Sequence, residues 1–380
     1  MSITGIICEY NPLHMGHKKQ IDLIRGRDPE GYIVCLMSGN FVQRGAPAVF
    51  HKLLRAQAAV KSGADLVLEL PVTAALSSAE GFATGGVKIL SPFCDNLCFG
   101  AETADRKVLM EIAAALLSED FSAQLKTELE KGLSFPAARQ AALENMGLDG
   151  SILSTPNNIL AVEYCKAILA ENSAMQPLVI YREGSYHDIV PDQKNPSATA
   201  LRALMEQGGN WKAYVPEEAA KCFNDAAIHR LKTGERAILA KLRTMTEEEF
   251  SKVPYGSEGL WRKLMHAARS ENTLEDIIAA TKSKRYTRSR IDRMILCAFL
   301  GITEEMLASP APYVRVLAFN DKGRSVLKIA KETGTFVNAG ECQDDFFQDL
   351  ESRCSSLYGL FSQVPEDPDI ENKYRIYYEK

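Results

Sequence analysis

Thr4-Gly5-Ile6-Ile7-Cys8-Glu9-Tyr10 runs directly into Asn11-Pro12-Leu13-His14-Met15-Gly16-His17 and then into Lys18-Lys19-Gln20-Ile21-Asp22-Leu23-Ile24, and this stretch decides the fold. The first run is apolar and of strand length, Asn-Pro opens a turn, and the third run has helical spacing. The order is strand, tight turn, helix, with His-x-Gly-His where the helix begins. A helix N-terminus offers free N–H groups and a partial positive charge, which suit phosphate. Imidazoles there supply donors that can follow charge developing on a phosphoryl group. Gly16 lacks a Cβ, so a nucleobase or ribose can approach its backbone closely.

Outward from this stretch, apolar runs at 32–37, 64–70, 96–100 and 177–181 alternate with helical periods at 50–62, 79–90, 105–146, 156 onward and 197–206. The alternation predicts an α/β fold: a doubly wound, right-handed, five-stranded parallel Rossmann-like sheet. Ligands of such sheets bind at the carboxyl ends of the strands. Those ends read Glu9-Tyr10-Asn11, Ser38-Gly39-Asn40, Glu69-Leu70-Pro71, Gly100-Ala101-Glu102 and Arg182-Glu183-Gly184, all polar or glycine-bearing. After Gln207-Gly208-Gly209-Asn210 amphipathic helices dominate to about residue 307. Pro310-Ala311-Pro312 then marks a hinge, 313–319 a strand, and Asn320-Asp321-Lys322-Gly323 a turn leading into a mixed α/β tail. The expected organisation is a catalytic domain at 1–207 and an accessory region at 208–380, mainly helical and then small α/β, with a sub-boundary near 308–312.

A chain of 380 residues with 46% hydrophobic and 24% charged residues is an ordinary globular composition. The net charge of −5 does not advertise nucleic-acid binding, but a local basic patch is what matters there. Nine cysteines stand in apolar surroundings without a CxxC pair, which reads as reduced, buried thiols of a cytoplasmic protein. The N-terminus lacks the basic and apolar segments of a signal peptide, and no window has the length of a membrane span, so no membrane association is expected.

Four further constellations carry chemistry. Asn195-Pro196-Ser197-Ala198-Thr199-Ala200-Leu201-Arg202 places hydroxyls at a helix start and an arginine one turn on, where it can reach polyphosphate oxygens. In the Gly-rich loop from Ser38 to Gly45, Asn40, Gln43 and Arg44 can hold a substrate carboxylate or base edge; a plain surface loop is the other reading. Asn157-Asn158 at a helix start offers amide pairs suited to a base edge, and Arg182 can neutralise polyphosphate. His187 beside Asp188 reads as structural. Lys282, Lys284, Arg285, Arg288, Arg290 and Arg293, with Tyr286 among them, form the one dense basic stretch, suited to an RNA backbone and a stacked base.

The opening stretch resembles the HxGH signature of nucleotidyltransferases, which attack the α-phosphate of ATP and release pyrophosphate. The segment from Ser197 to Arg202 resembles the Ser-x-Thr-x-x-Arg element of the same enzymes, with Leu201 where a β-branched residue is usual. Together the stretches resemble the bacterial tRNA(Met) cytidine acetate ligases along essentially the whole chain. The resemblance implies nucleotide contacts from Ile7, Cys8, Glu9, Tyr10, Asn11, Pro12, Leu13, His14, Met15, Gly16, His17, Lys18, Lys19 and Gln20. It adds Gly100, Asn157 (or Asn158), Arg182, Ser197, Thr199 and Arg202. His14, His17 and Lys18 would be the catalytic residues.

The resemblance further implies ATP with Mg2+, acetate, and elongator tRNA(Met) as the partner. Acetate would attack ATP to give acetyl-adenylate, and the wobble cytidine amine would then take the acetyl group, forming N4-acetylcytidine. No protein partner and no protein metal ligands are expected. A small-molecule adenylyltransferase of the nicotinamide- or pantetheine-phosphate type with an accessory domain is the alternative, and a non-catalytic RNA-binding protein a third reading. The long second region and the basic stretch count against the former, the intact motif residues against the latter. A small acetate pocket is expected near Gly5 and Ile7.

Overall fold

A computed structural model describes residues 1–182, 196–283, 285–331, 336–337, 345–373 and 375–380. Arg182 is therefore seen, whereas Tyr186, His187, Asp188 and Lys284 lie outside the described residues.

The chain opens with β1 (Ile3–Cys8) and helix Met15–Arg27, followed by β2 (Tyr32–Ser38). The Gly-rich loop folds into a small antiparallel hairpin of β3 (Phe41–Val42) and β4 (Ala46–Pro47). Helix Lys52–Lys61, β5 (Leu66–Leu70), helix Ala79–Leu90, β6 (Asn96–Ala101), three helices, helix Pro156–Ala170 and β7 (Gln176–Tyr181) complete the first half. The five long strands pair in parallel in the order β5-β2-β1-β6-β7. The chain thus winds from β1 outward to β5, then returns to the other side of β1. The order reverses between β1 and β6, which is where a ligand crevice belongs in a doubly wound sheet.

Period-two alternation builds the two faces. Ile7, Val34, Leu36, Leu66 and Leu68 pack on one side with helices Ala79–Leu90 and Pro156–Ala170. Ile6, Cys8, Ile33, Cys35 and Val67 pack on the other with helices Met15–Arg27 and Lys52–Lys61. Strands buried on both faces read as nearly continuous apolar runs, which is how they look in the sequence.

The sheet does not end with the first half of the chain. β8 (Val314–Phe319) lies antiparallel beside β5, and the short β9 (Phe336–Val337) and β10 (Tyr377–Tyr378) pair with β8. The expected boundary at 207/208 therefore cuts across one continuous sheet. Residues 320–323, expected as a turn, instead start helix Asp321–Ala330, with Asn320 Oδ1 accepting the Gly323 N–H at 2.9 Å. Between the halves, helices Leu231–Thr244, Leu260–Ser270, Leu274–Thr281 and Arg288–Leu300 share a third apolar core that also takes in Phe41, Tyr358 and Phe361.

A buried ionic cluster fastens the seam between β5 and β8. Lys52 Nζ donates to both Glu69 oxygens, at 2.8 and 3.0 Å, and to Glu371 at 2.9 Å. Arg315 pairs with Glu351 at 3.2 Å, with Glu69 at 3.5 Å, and with Glu371. Among the described residues no helix is long and apolar enough to cross a membrane.

Candidate active site

A cleft of about 380 Å³ opens at the carboxyl ends of β1 and β6. Its floor is the opening motif. The chain leaves β1 through Tyr10, whose backbone sits in the left-handed region (φ 45°) although its side chain is fully buried, and crosses a cis Asn11–Pro12 bond. A non-glycine residue there is uncommon and is held by its surroundings. Asn11 Oδ1 accepts the Val49 N–H at 2.7 Å, which fixes the turn to the segment after the hairpin.

His14 caps helix Met15–Arg27. Its Nδ1 accepts the Gly16 N–H at 3.1 Å, and His17 Nδ1 accepts the His14 N–H at 3.3 Å, a reciprocal capping box with imidazoles in both places. With Nδ1 accepting in both rings, the neutral tautomers carry their protons on Nε2. The rings stack at 3.7 Å, and His14 Nε2 is buried without a hydrogen-bond partner among the described residues. Such an orphaned donor beside a cleft is a feature a ligand can satisfy. Burial pushes the His14 imidazolium well below its usual range, with His17, Arg182 and Arg202 adding repulsion. Burial, and then Arg182, push His17 down to about 3. Both rings are therefore neutral N–H donors before any anion arrives.

Gly16 also has a role within the turn itself. A Cβ there would stand 3.0–3.1 Å from the His14 ring, so the glycine makes room for the capping imidazole.

Around this floor the lining includes Ile7, Cys8, Glu9, Tyr10, Asn11, His14, His17 and Gln20 from the first motif. Gly100, Asn157, Arg182, Ser197, Thr199 and Arg202 line one flank, Gln43 and Arg44 the other. Arg202 donates to the Asn11 carbonyl at 2.8 Å and to Thr199 Oγ1 at 3.1 Å, joining the second motif to the first. Ser197 caps helix Ala198–Glu206 through the Ala200 N–H. On the same flank Glu102 accepts from Asn157 Nδ2 at 2.6 Å, Thr155 Oγ1 at 2.9 Å and the Asn158 N–H at 2.9 Å. Asn157 Oδ1 in turn accepts from Arg182 at 3.3 Å. Asn157 is thus the asparagine in the cleft. Asn158 is a buried staple, its carboxamide bonded to Thr103 N–H and Oγ1.

Several expected residues lie elsewhere. Lys18 ion-pairs with Asp22 on the outer side of the helix, and Met15 and Lys19 are exposed. Pro12 and Leu13 are buried, Leu13 within the core. Asn40 is buried in the protein: its Oδ1 accepts the Lys52 N–H at 2.9 Å, and its Nδ2 bonds His51 and Ser355. Asn40 is therefore committed to structural hydrogen bonds and does not line the cleft. Of the two residues named for an acetate pocket, Ile7 lines the cleft, whereas Gly5 is packed against Leu90, which an added Cβ would meet at 2.8 Å.

Sequence reading missed the apolar wall of Phe82, Phe99, Ile159, Leu160 and Tyr164, and the orienting carboxylate Glu102. Glu102 sits at a strand end, the one signal that marked it; the wall residues carry no signal that separates them from core.

The basic stretch is heavily committed to intramolecular partners. Arg285 and the Tyr286 hydroxyl each bond Glu258 at 2.8 Å. Arg288 forms a two-point pair with Glu275, one contact at 2.7 Å. Arg290 donates to the Tyr255 carbonyl at 3.0 and 2.8 Å, and Arg293 is buried. Lys282 is exposed.

Among the described residues no group of three or more His, Cys, Asp or Glu side chains is arranged to hold a metal. Eight of the cysteines are seen and all are free thiols, buried apart from Cys222. Burial raises Cys8 and Cys94 well above the usual thiol range and Cys98 to about 12, which keeps these thiols protonated and unreactive.

A family model described as HIGH Nucleotidyl Transferase matches residues 1–370. The tRNA(Met) cytidine acetate ligase of Clostridium acetobutylicum is 37% identical over 357 residues, covering 88% of this chain and 89% of that protein. The protein of that name from Caldanaerobacter subterraneus is 40% identical over 349 residues, covering 87% and 86%. Among solved structures, Thermotoga maritima TmcAL in its apo form superposes with a TM-score of 0.90 at 29% identity, over 100% of this chain and 99% of that one. The same protein bound with alpha-thio ATP gives 0.88 at 28%, with the same coverage.

Proposed function

Because the chain belongs to the tRNA(Met) cytidine acetate ligases, a family of HIGH nucleotidyl transferases, we propose that its cleft joins acetate to ATP and then acetylates the wobble cytidine of elongator tRNA(Met). The observation that carries the reading is the pair of neutral, Nε2-protonated imidazoles at a helix N-terminus, flanked by arginines, in the switch-point crevice.

In the first step an acetate oxygen attacks the α-phosphorus and the bond to pyrophosphate breaks, leaving acetyl-adenylate. Acetate is already ionised, so no general base is required. The protein's work is positioning and charge stabilisation. Nε2–H of His14 and His17, with the helix N-terminus, donate to the α-phosphate as its charge redistributes. Arg182 and Arg202 neutralise the polyphosphate, Ser197 and Thr199 add hydroxyl donors, and the Glu102–Asn157 pair orients Arg182. A magnesium ion fits this donor set as a companion of the phosphates: Glu9 is the carboxylate among the lining residues, and Mg2+ commonly binds through substrate phosphates, retained waters and one or two carboxylates. When bound it would supply further charge neutralisation on the leaving pyrophosphate.

On this reading the strand order divides the cleft between the substrates. Gly100 lies near the carboxyl end of β6 and Arg182 follows β7 on one side of β1, while Gln43 and Arg44 follow β2 on the other. Nucleotide occupies the β6–β7 side. Acetate enters from the β2 side, so that attack and departure are roughly in line. In the second step the cytidine exocyclic amine attacks the acetyl carbon and AMP leaves. The base is presented from a single-stranded loop, with exposed cations of the 282–290 stretch contacting the RNA backbone.

The test is incubation with ATP, acetate and bulk tRNA, with nucleoside mass analysis and ATP–pyrophosphate exchange. Acetate-dependent exchange and N4-acetylcytidine are expected. Exchange that ignores acetate, with no acetylcytidine formed, would refute the reading.

A further inference from the structure

We infer that Tyr255 and Arg293, both from the helical region, are positioning residues that set the acetate side of the cleft by holding the Gln43–Gly45 turn; this rests on the assignment of that side to acetate. Arg293 was grouped with the tRNA-binding cations by its place in the sequence, but it is buried, so it is not available to a phosphate backbone. Its Nη1 donates to the Gln43 carbonyl at 3.3 Å, and its guanidinium lies 5.0 Å from the centre of the Tyr255 ring. The turn presses on the same helix: Gly45 has φ 78°, and a Cβ there would stand 2.4 Å from the Arg293 nitrogen.

On its cleft side, Gln43 donates its N–H to Glu9 Oε1 at 2.8 Å and its Nε2 to the Ser77 carbonyl at 3.2 Å. Tyr255 completes the clamp by donating its hydroxyl to the neighbouring Leu76 carbonyl at 3.1 Å. Tyr255 also holds a left-handed backbone (φ 68°), an unfavourable state for a large side chain that its surroundings maintain. Arg293 Nε, buried without a hydrogen-bond partner among the described residues, is a further cost. The Arg293 contact to Gln43 and the Tyr255 contact to Leu76 thus brace the cleft-lining turn and its neighbour from the helical region. Neither residue touches substrate; they act through Gln43 and Glu9.

The experiment measures acetate-dependent ATP–pyrophosphate exchange and, separately, tRNA affinity against salt concentration. Arg293→Met is expected to raise KM for acetate about tenfold, the equivalent of one charge-assisted hydrogen bond, with KM for ATP nearly unchanged. Its tRNA affinity and salt dependence stay those of the parent, and Arg293→Lys restores part of the loss. Tyr255→Phe, which keeps the ring and the fold, shifts KM for acetate in the same direction by about threefold. The inference is overturned if acetate KM is unmoved in the folded variants, or if Arg293→Met weakens tRNA binding with a shallower salt dependence. Should Arg293→Met not fold, Tyr255→Phe alone decides the matter. A parent enzyme whose exchange ignores acetate would instead overturn the functional reading beneath it.

Discussion

His17 makes the protein acid-sensitive in a way that can be isolated. Its imidazole has an ordinary value of 6.5 and is pushed to about 3 in the fold, first by burial and then by Arg182. A histidine with a depressed folded pKa binds its proton more readily unfolded. Stability is therefore unaffected above about pH 6.5, falls as pH drops through that value, and goes on falling towards pH 3. At pH 5 the unfolded imidazole is almost wholly protonated and the folded one is not, which costs about 2 kcal/mol. His17→Gln keeps an N–H donor but cannot titrate. Urea unfolding at pH 7 and pH 5 should show parent stability falling by about 2 kcal/mol more than that of His17→Gln. His14 is depressed first by its own burial, which both proteins share, so the difference reports chiefly on His17. Equal losses in the two proteins would mean that the His17 pocket is open to water and that its imidazole titrates near its ordinary value.

Three other outcomes follow from named contacts. Glu258→Gln and Glu275→Gln together release Arg285 and Arg288 from their ion pairs, so tRNA affinity should rise and the logarithmic salt slope steepen by about one to two; an unchanged slope would remove these cations from the RNA interface. Glu102→Gln leaves Asn157 and Arg182 without their orienting carboxylate and should raise KM for ATP by about tenfold in exchange assays with tRNA binding intact, whereas an unaltered ATP KM would make Glu102 a simple helix cap. In the cluster at the β5–β8 seam, Glu69→Gln should cost about 3–5 kcal/mol in chemical unfolding. Glu351→Gln should cost far less, because burial already holds the Glu351 carboxyl above its usual range; a reversed order would misplace the negative charge.

The five parallel strands were legible because each is a short apolar run closed by Gly, Pro or a polar strand end. The first motif was legible because His-x-Gly-His follows such a strand directly. What stayed hidden depended on partners distant in sequence. β8 reads as a strand, but nothing local says that it pairs antiparallel with β5. Residues 320–323 carry the composition of a turn, which is also that of a helix cap, and tertiary context chose the cap. Asn40 had the chemistry of a ligand contact, yet the fold spent it on the Lys52 amide. The basic stretch shows its cations in sequence, while Glu258 and Glu275 reach them only through folding. Phe82, Phe99 and Tyr164 share the periodicity of core residues, so no pattern could mark them as the wall of a cleft.

The continuity of the sheet changes what an accessory region can mean here. Lys52 and Glu69 belong to the first half of the chain, but Arg315, Glu351 and Glu371 complete their charge network. Cutting after residue 207 would expose the β8-facing edge of β5 and leave a buried lysine–glutamate pair without its second cation and remaining acids. The same half would lose Tyr358, which donates to the Ala48 carbonyl at 2.8 Å, and Arg293 beneath the Gln43 turn. Both contacts fall on the segment that forms the β2 side of the cleft. The side proposed for the nucleotide, by contrast, is assembled within residues 1–206 from β1, β6, β7 and the two motif helices. Helical and C-terminal segments are therefore built into the wall proposed for the acid, so the region proposed to dock tRNA is joined by direct contacts to the proposed acetate side.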